Sequence, residues 1–182
     1  MYSQKDSISL QREARKLVRE GNKLYNQKKY ADASISYKQA LEKNSSYTKA
    51  TYNLGNSLFQ EKNFKEAIPQ YKILTENSED SYEKAEGYHN IGNAMMEEKN
   101  YQGAVDAYKN SLRKNPNDDE TRYNLAVAQK LLEKEKNKDK DKNKDKNKDK
   151  DKNKDKDKDK DKDKDKDKDK DKDKDKKEGD DK

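Results

Sequence analysis

The chain contains no cysteine and no tryptophan, only two prolines and a single histidine. Without cysteine there can be no disulfide, no zinc thiolate and no thiol nucleophile. The lone histidine, His89, has no second histidine or cysteine to work with, and no glycine-rich phosphate loop or metal-ligand spacing occurs. These absences point away from an enzyme and predict no cofactor and no metal. No apolar run approaches the ~20 residues needed to span a bilayer. The opening "MYSQKDSISL" lacks the apolar segment of a signal peptide, so no leader is expected within the chain as given. That leaves two compartments open: periplasmic or membrane-associated if a leader has been removed, cytoplasmic otherwise.

Charge is abundant instead. Charged residues make up 46% of the chain and hydrophobic ones 26%, and the imbalance is local. The last apolar side chain is Leu132, and residues 134–182 are almost entirely Lys, Asp and Asn. This segment holds 24 Lys against 20 Asp plus Glu, about +4 of the formal net charge of +6. Interleaved carboxylates deny it the concentrated basic surface that phosphate binding needs, so no specific nucleic-acid partner is expected. Its alternating Asp residues lack the central glycine of a calcium loop, and the intervening lysines repel cations. Like charges fall four residues apart on a helix, and a strand would have no apolar side to bury, so residues 134–182 are expected to be a disordered Lys/Asp tail. Its role is either a solubilising spacer or weak adhesion to an anionic surface.

The remaining residues repeat. Gly21, Gly55, Gly92 and Ala126 share one local context, spaced 34, 37 and 34 residues apart. About nine residues after each glycine stands Tyr30, Phe64 or Tyr101; three further comes Ala33, Ala67 or Ala104; four further comes Tyr37, Tyr71 or Tyr108. Apolar residues recur at helical spacing on both sides of the polar breaks "NQKK", "QEKN" and "EEKN", so each copy is two helices. In "NFKE", Asn63 with Glu66 three residues later is a helix-start signature. The small residues mark where antiparallel helices cross. The three extra residues near "NSEDSYEK" predict an added helical turn or a longer loop, and Pro69 a bend in its helix.

These motifs resemble the tetratricopeptide repeat (TPR) over about residues 14–132. The resemblance implies an all-α superhelix of three helix-turn-helix repeats, with a concave groove lined by the first helix of each pair. The expected organisation is a flexible N-terminus at 1–7, a TPR domain at 8–133, and the tail. The domain divides into repeats at about 14–47, 48–81 and 85–118 and a C-terminal capping helix at 119–135. Departures from the family pattern include Leu17, Thr51 and Tyr88 where tryptophan is usual, and Glu20 for a leucine.

With the small positions turned toward the partner helix, spacings of three, four and seven place a second set of side chains on the groove face. The set is Arg15, Arg19, Asn22 and Tyr25; Lys49, Tyr52, Asn53, Asn56 and Phe59; His89, Asn90, Asn93 and Met96; and Tyr123 with Asn124. Val18, Glu86 and Glu120 share that surface. Six asparagines thereby form a ladder. An amide that both donates and accepts can grip an extended peptide backbone whatever its side chains, or it can orient neighbouring helices; both readings stand at this point. The family's carboxylate clamp wants lysine where Glu86 and Glu120 stand and arginine where Asn90 and Asn124 stand, so an acidic chaperone tail is not the expected ligand. A ligand of mixed polarity fits the gradient from Arg15, Arg19 and Lys49 to Glu86, Glu97 and Glu120.

Repeats opening at "QREARKLVREGNKLYNQKKYADAS" and closing in a charged low-complexity tail are also similar to the TPR members of the bacterial Bat aerotolerance operon. That resemblance implies an adaptor working beside membrane proteins with von Willebrand A-like domains. The expected function is a non-enzymatic scaffold that binds an extended segment of a protein partner. Two alternatives remain open: a structural assembly protein associating through its end helices, and tail-mediated binding to an anionic surface.

Overall fold

The computed structural model describes residues 4–138, with side chains from residue 6 onward. The described residues are helical apart from short connections: α1 Gln4–Asn26, α2 Tyr30–Lys43, α3 Thr48–Gln60, α4 Phe64–Asn77, α5 Ser81–Glu97, α6 Tyr101–Lys114, and α7 at residues 119–138. The chain divides into two units, residues 1–132 and 133–182. In the first, successive helices pack on one another, and α1 also touches α3. Residues 4–7, expected as a flexible lead-in, are the first turn of α1. The last helix runs to 138 rather than 135, and from residue 139 onward the expected disordered tail lies outside the described residues.

Each helix pair is closed by the same device. Lys28, Lys62 and Lys99 follow α1, α3 and α5 with backbone φ of 59°, 59° and 60°, the left-handed region. The Lys62 N–H donates to the Phe59 carbonyl at 2.9 Å and the Asn63 N–H to the Leu58 carbonyl at 2.9 Å, and the other two ends repeat this pair of bonds. This double bond pattern satisfies carbonyls that a helix end leaves unpaired. The next helix then starts: Asn63 Oδ1 accepts the Glu66 N–H and Asn100 Oδ1 the Gly103 N–H. Across the turn, the rings of Tyr25 and Tyr30 meet edge to face at 5.1 Å, and those of Phe59 and Phe64 at 5.3 Å.

Close approach between the paired helices rests on small residues. Ala14, Ala33, Ala40, Ala50, Ala67, Ala94 and Ala104 are fully buried. At the glycines the gap is filled by a ring: a Cβ on Gly21, Gly55 or Gly92 would fall 2.5, 2.6 or 2.4 Å from Cε1 of Tyr37, Tyr71 or Tyr108. Those three tyrosines are the largest fully buried side chains. A separate core cluster of Ala104, Val105, Tyr108 and Ala128, with Met95, Met96, Leu125 and Leu132 against it, seats α7. Ala126, which occupies the glycine position of the repeat, is exposed. Among the described residues no second helix covers it.

The irregular spacing resolves into an added turn. Helix α5 has 17 residues against 13 in α3, and its extra length lies at the N-terminus. Asp80 caps it, accepting the Tyr82 N–H at 2.8 Å, and the Ser78 hydroxyl donates to Glu83 Oε2 at 2.7 Å. Gly87 lets this longer helix lie against α4, where a Cβ would come 2.7 Å from Thr75 Cγ2. Pro69 sits inside α4, which continues past it.

Three outcomes test this packing. Gly55→Ala forces the buried Tyr71 ring to move and is expected to lower unfolding free energy by about 1–3 kcal/mol in urea melts. Lys62→Gly removes the left-handed strain and is expected to raise it by about 1 kcal/mol. Burial, with the nearby Tyr25 hydroxyl adding to it, pushes the Tyr37 hydroxyl from 10.0 up to about 12, and burial raises Tyr71 and Tyr108 further. Because the folded values exceed the unfolded one, their contribution is intact below about pH 10 and declines as pH rises toward 12. Urea melts across that window are expected to show this loss, and Tyr37→Phe to lessen it; a Tyr37→Phe profile identical to wild type would contradict the burial account.

Candidate functional site: the concave groove

The groove face of the first unit is organised by tyrosine and asparagine. The Tyr37 hydroxyl, having crossed Gly21, donates to Asn22 Oδ1 at 2.7 Å; Tyr71 donates to Asn56 Oδ1 at 2.8 Å and Tyr108 to Asn93 Oδ1 at 2.7 Å. Each of these acceptor oxygens takes a second bond from the following copy. Asn53 Nδ2 donates to Asn22 Oδ1 at 2.9 Å, Asn90 Nδ2 to Asn56 Oδ1 and Asn124 Nδ2 to Asn93 Oδ1, the latter two at a long 3.4 Å. The six asparagines are therefore two kinds of residue. Asn22, Asn56 and Asn93 are acceptors shared between a tyrosine within their own repeat and an amide from the next; Asn53, Asn90 and Asn124 are the donors that reach back.

The remaining predicted residues, apart from Arg15, Arg19 and Tyr123, separate into three groups. Tyr25 and Phe59 pack at the turns that join the two helices within the first and second repeats. His89 and Met96 serve the seat of α7. Met96 packs in the cluster around Ala128, and His89 Nδ1 lies 2.6 Å from Thr121 Oγ1. Thr121 gives its one hydroxyl hydrogen to Asp118 Oδ2 at 2.6 Å, so the His89 Nδ1–H is the donor to the Thr121 oxygen. Burial works against the Asp118 charge, but the two Thr121 bonds and the nearby His89 outweigh it and hold that carboxyl below its ordinary range. His89 Nε2 lies 3.7 Å from Glu120 Oε1. Sequence reasoning placed His89 on the groove face; its contacts with Thr121 and Glu120 also link α5 to α7. Tyr123 is 70% exposed, and Arg15 and Arg19 are exposed on α1.

The third group surrounds a cavity of about 340 Å³, lined by Val18, Asn22, Thr48, Lys49, Tyr52, Asn53, Leu74, Tyr82, Glu83 and Glu86. The Tyr52 hydroxyl donates to Glu86 Oε2 at 3.0 Å, and burial, followed by the Glu86 charge, raises the Tyr52 hydroxyl. Sequence reasoning placed Val18, Asn22, Lys49, Tyr52, Asn53 and Glu86 on this face. It missed Thr48, Leu74, Tyr82 and Glu83. For the last two a signal existed: stepping back three and four residues from Glu86 reaches Glu83 and Tyr82 once the added turn is taken as helix rather than loop. A second, more polar hollow of about 300 Å³ lies beside Asn22, Tyr25, Asn26, Tyr37, Asn53 and Asn56. Among the described residues there is no group of His, Asp or Glu able to hold a metal ion, and no helix is long and apolar enough to cross a membrane.

Comparison with known proteins agrees with this geometry. Two family models, each described as a tetratricopeptide repeat, match residues 18–82 and 85–118. Among solved structures, the first TPR of Spaghetti (RPAP3), bound to the HSP90 peptide SRMEEVD, is 23% identical, with 67% of this chain and 94% of that chain covered at a TM-score of 0.62. The Sgt2 TPR domain from Aspergillus fumigatus is 22% identical over 69% of this chain and 82% of that one, TM-score 0.62. The N-terminal domain of stress-induced protein-1 from C. elegans is 23% identical over 66% and 97%, TM-score 0.62. No curated protein matches in sequence. Repeat models that together span more than half the chain, on helix pairs that follow the course of these solved domains, make this chain a member of the tetratricopeptide repeat family.

Proposed function

We propose that the chain is a non-enzymatic protein-interaction scaffold that holds an extended segment of a partner protein in the concave groove of its first unit. The observation that carries the reading is the cavity between α1, α3 and the added turn of α5. There Lys49, Glu83 and Glu86 stand without ion-pair partners among the described residues, around Val18, Leu74, Tyr52 and Tyr82. Uncommitted charge beside aromatic and aliphatic surface is the composition of a recognition site. One of the compared domains is itself bound to a peptide, SRMEEVD from HSP90. The carboxylates at Glu83, Glu86 and Glu120 favour a different segment here, of mixed charge rather than acidic.

The asparagines contribute in two ways under this reading. Their mutual bonds hold the helices that form the groove floor, and Asn53 keeps its carbonyl oxygen and one amide hydrogen for a ligand backbone. The resemblance to the Bat aerotolerance proteins adds a proposed place of work, beside membrane proteins with von Willebrand A-like domains. What supports it is the order of parts, repeats followed by a Lys/Asp-rich segment.

The test is selection of a random-peptide library on the full chain. Selected peptides are expected to lose about tenfold or more in affinity to a Lys49→Ala/Tyr82→Ala variant and nothing to Ile35→Ala, an exposed residue of α2. Peptides indifferent to both variants would contradict the groove reading. A full chain that takes no peptide but self-associates through the exposed Tyr123 end of α7 would favour assembly through end helices instead.

A further inference from the structure

The groove cavity has a polarity that the groove reading alone does not use. One wall, on α3, carries Lys49; the other, on the first turns of α5, carries Glu83 from the added turn and Glu86 from the regular repeat position. Both carboxylates are held in place by hydroxyls: Ser78 donates to Glu83 Oε2 at 2.7 Å and Tyr52 to Glu86 Oε2 at 3.0 Å. Neither carboxylate has a cationic partner among the described residues, and Lys49 has no anionic one. The volume, about 340 Å³, is at the lower end of the range of about 300–1,000 Å³ typical of ligand sites. That is room for one long side chain with its neighbouring backbone.

Resting on the groove reading, we infer that this cavity takes the side chain of a lysine or arginine in the partner segment. Its cationic head lies between Glu83 and Glu86, and an acidic neighbour of that residue faces Lys49. A cationic head gains charge-assisted hydrogen bonds from carboxylates whose orientation Ser78 and Tyr52 have already fixed. Its aliphatic stem covers Val18, Leu74 and the Tyr52 ring, the way long basic side chains cover apolar surface. Tyr82, 68% exposed, stands at the same site and offers an aromatic surface to the cation. An acidic side chain entering the α5 side would meet two fixed like charges, and an apolar one would leave both carboxylates partly desolvated and unpaired. The added turn of α5 is what supplies this recognition: without it neither Tyr82 nor Glu83 would lie over the groove.

The experiment uses the peptides selected from a random library on the full chain, sequenced, synthesised and titrated by fluorescence anisotropy. They are expected to share one lysine or arginine. Its replacement by alanine, or Glu86→Gln in the protein, should weaken binding about tenfold or more, and rising salt should weaken it further. Glu86 is exposed, so its variant should keep the wild-type melting curve. Lys49→Gln should relax only the acidic neighbour of the shared residue. Peptides that need Tyr82 yet share no basic residue, or bind Glu86→Gln as tightly as wild type, would overturn the inference and leave the groove reading standing. Peptides indifferent both to Glu86→Gln and to the Lys49→Ala/Tyr82→Ala variant would overturn both. A full chain that dimerises without peptide and is made monomeric by Glu86→Gln would assign the cavity to a second copy and overturn the inference as well.

Discussion

A tyrosine ring lying on a helix surface that has no Cβ is the contact on which the rest of the first unit depends. Gly21, Gly55 and Gly92 each leave space that the ring of Tyr37, Tyr71 or Tyr108 fills, and any side chain there would overlap the ring. The ring is long enough to carry its hydroxyl past the glycine to the groove face, where the asparagine one residue further along the helix accepts it. One contact thus sets the distance between paired helices and reaches the surface where a partner would bind. The buried hydroxyl would be destabilising without an acceptor, by about 1–3 kcal/mol; the asparagine removes that penalty.

The same acceptor couples one repeat to the next. Each of Asn22, Asn56 and Asn93 receives an amide from the following copy, so the bonds run from the second helix of a pair to its first, then to the first helix of the next pair. The ends of the chain of bonds follow the ends of the fold. The first copy has Arg19 in place of the reaching-back asparagine, and no earlier repeat stands among the described residues for it to reach. The last copy has Val127 in place of the acceptor, and among the described residues no second helix supplies a tyrosine to α7. A repeat protein gains stability from nearest-neighbour interfaces, and here part of each interface is polar and directional.

Periodicity made the helices, the crossing glycines and the closing turns legible in the sequence, because each recurs at a fixed offset and each has a local cause. The asparagine ladder was visible as a pattern but not as a set of bonds. Whether an amide points to a neighbour or to a ligand depends on distances across helices, such as the 2.9 Å from Asn53 to Asn22, that spacing along one helix does not contain. The bond of His89 was hidden for the same reason: its partner Thr121 lies 32 residues away, on another helix. Tyr82 and Glu83 escaped because the turn that carries them is inserted relative to the copy before it, where α3 starts later. A search by repetition passes over what occurs once, and the inserted turn contributes two residues to the groove cavity.

The account joins fold and groove through the asparagines, and the pair with the shortest inter-repeat bond is where that can be measured. Unfolding free energies of wild type, Asn22→Ala, Asn53→Ala and the double variant form a closed cycle for the bond between the first two repeats. A coupling of about 0.5–1.5 kcal/mol is predicted. Additivity of the two substitutions to within about 0.3 kcal/mol would show that the amides do not tie the repeats together, and would contradict the central claim.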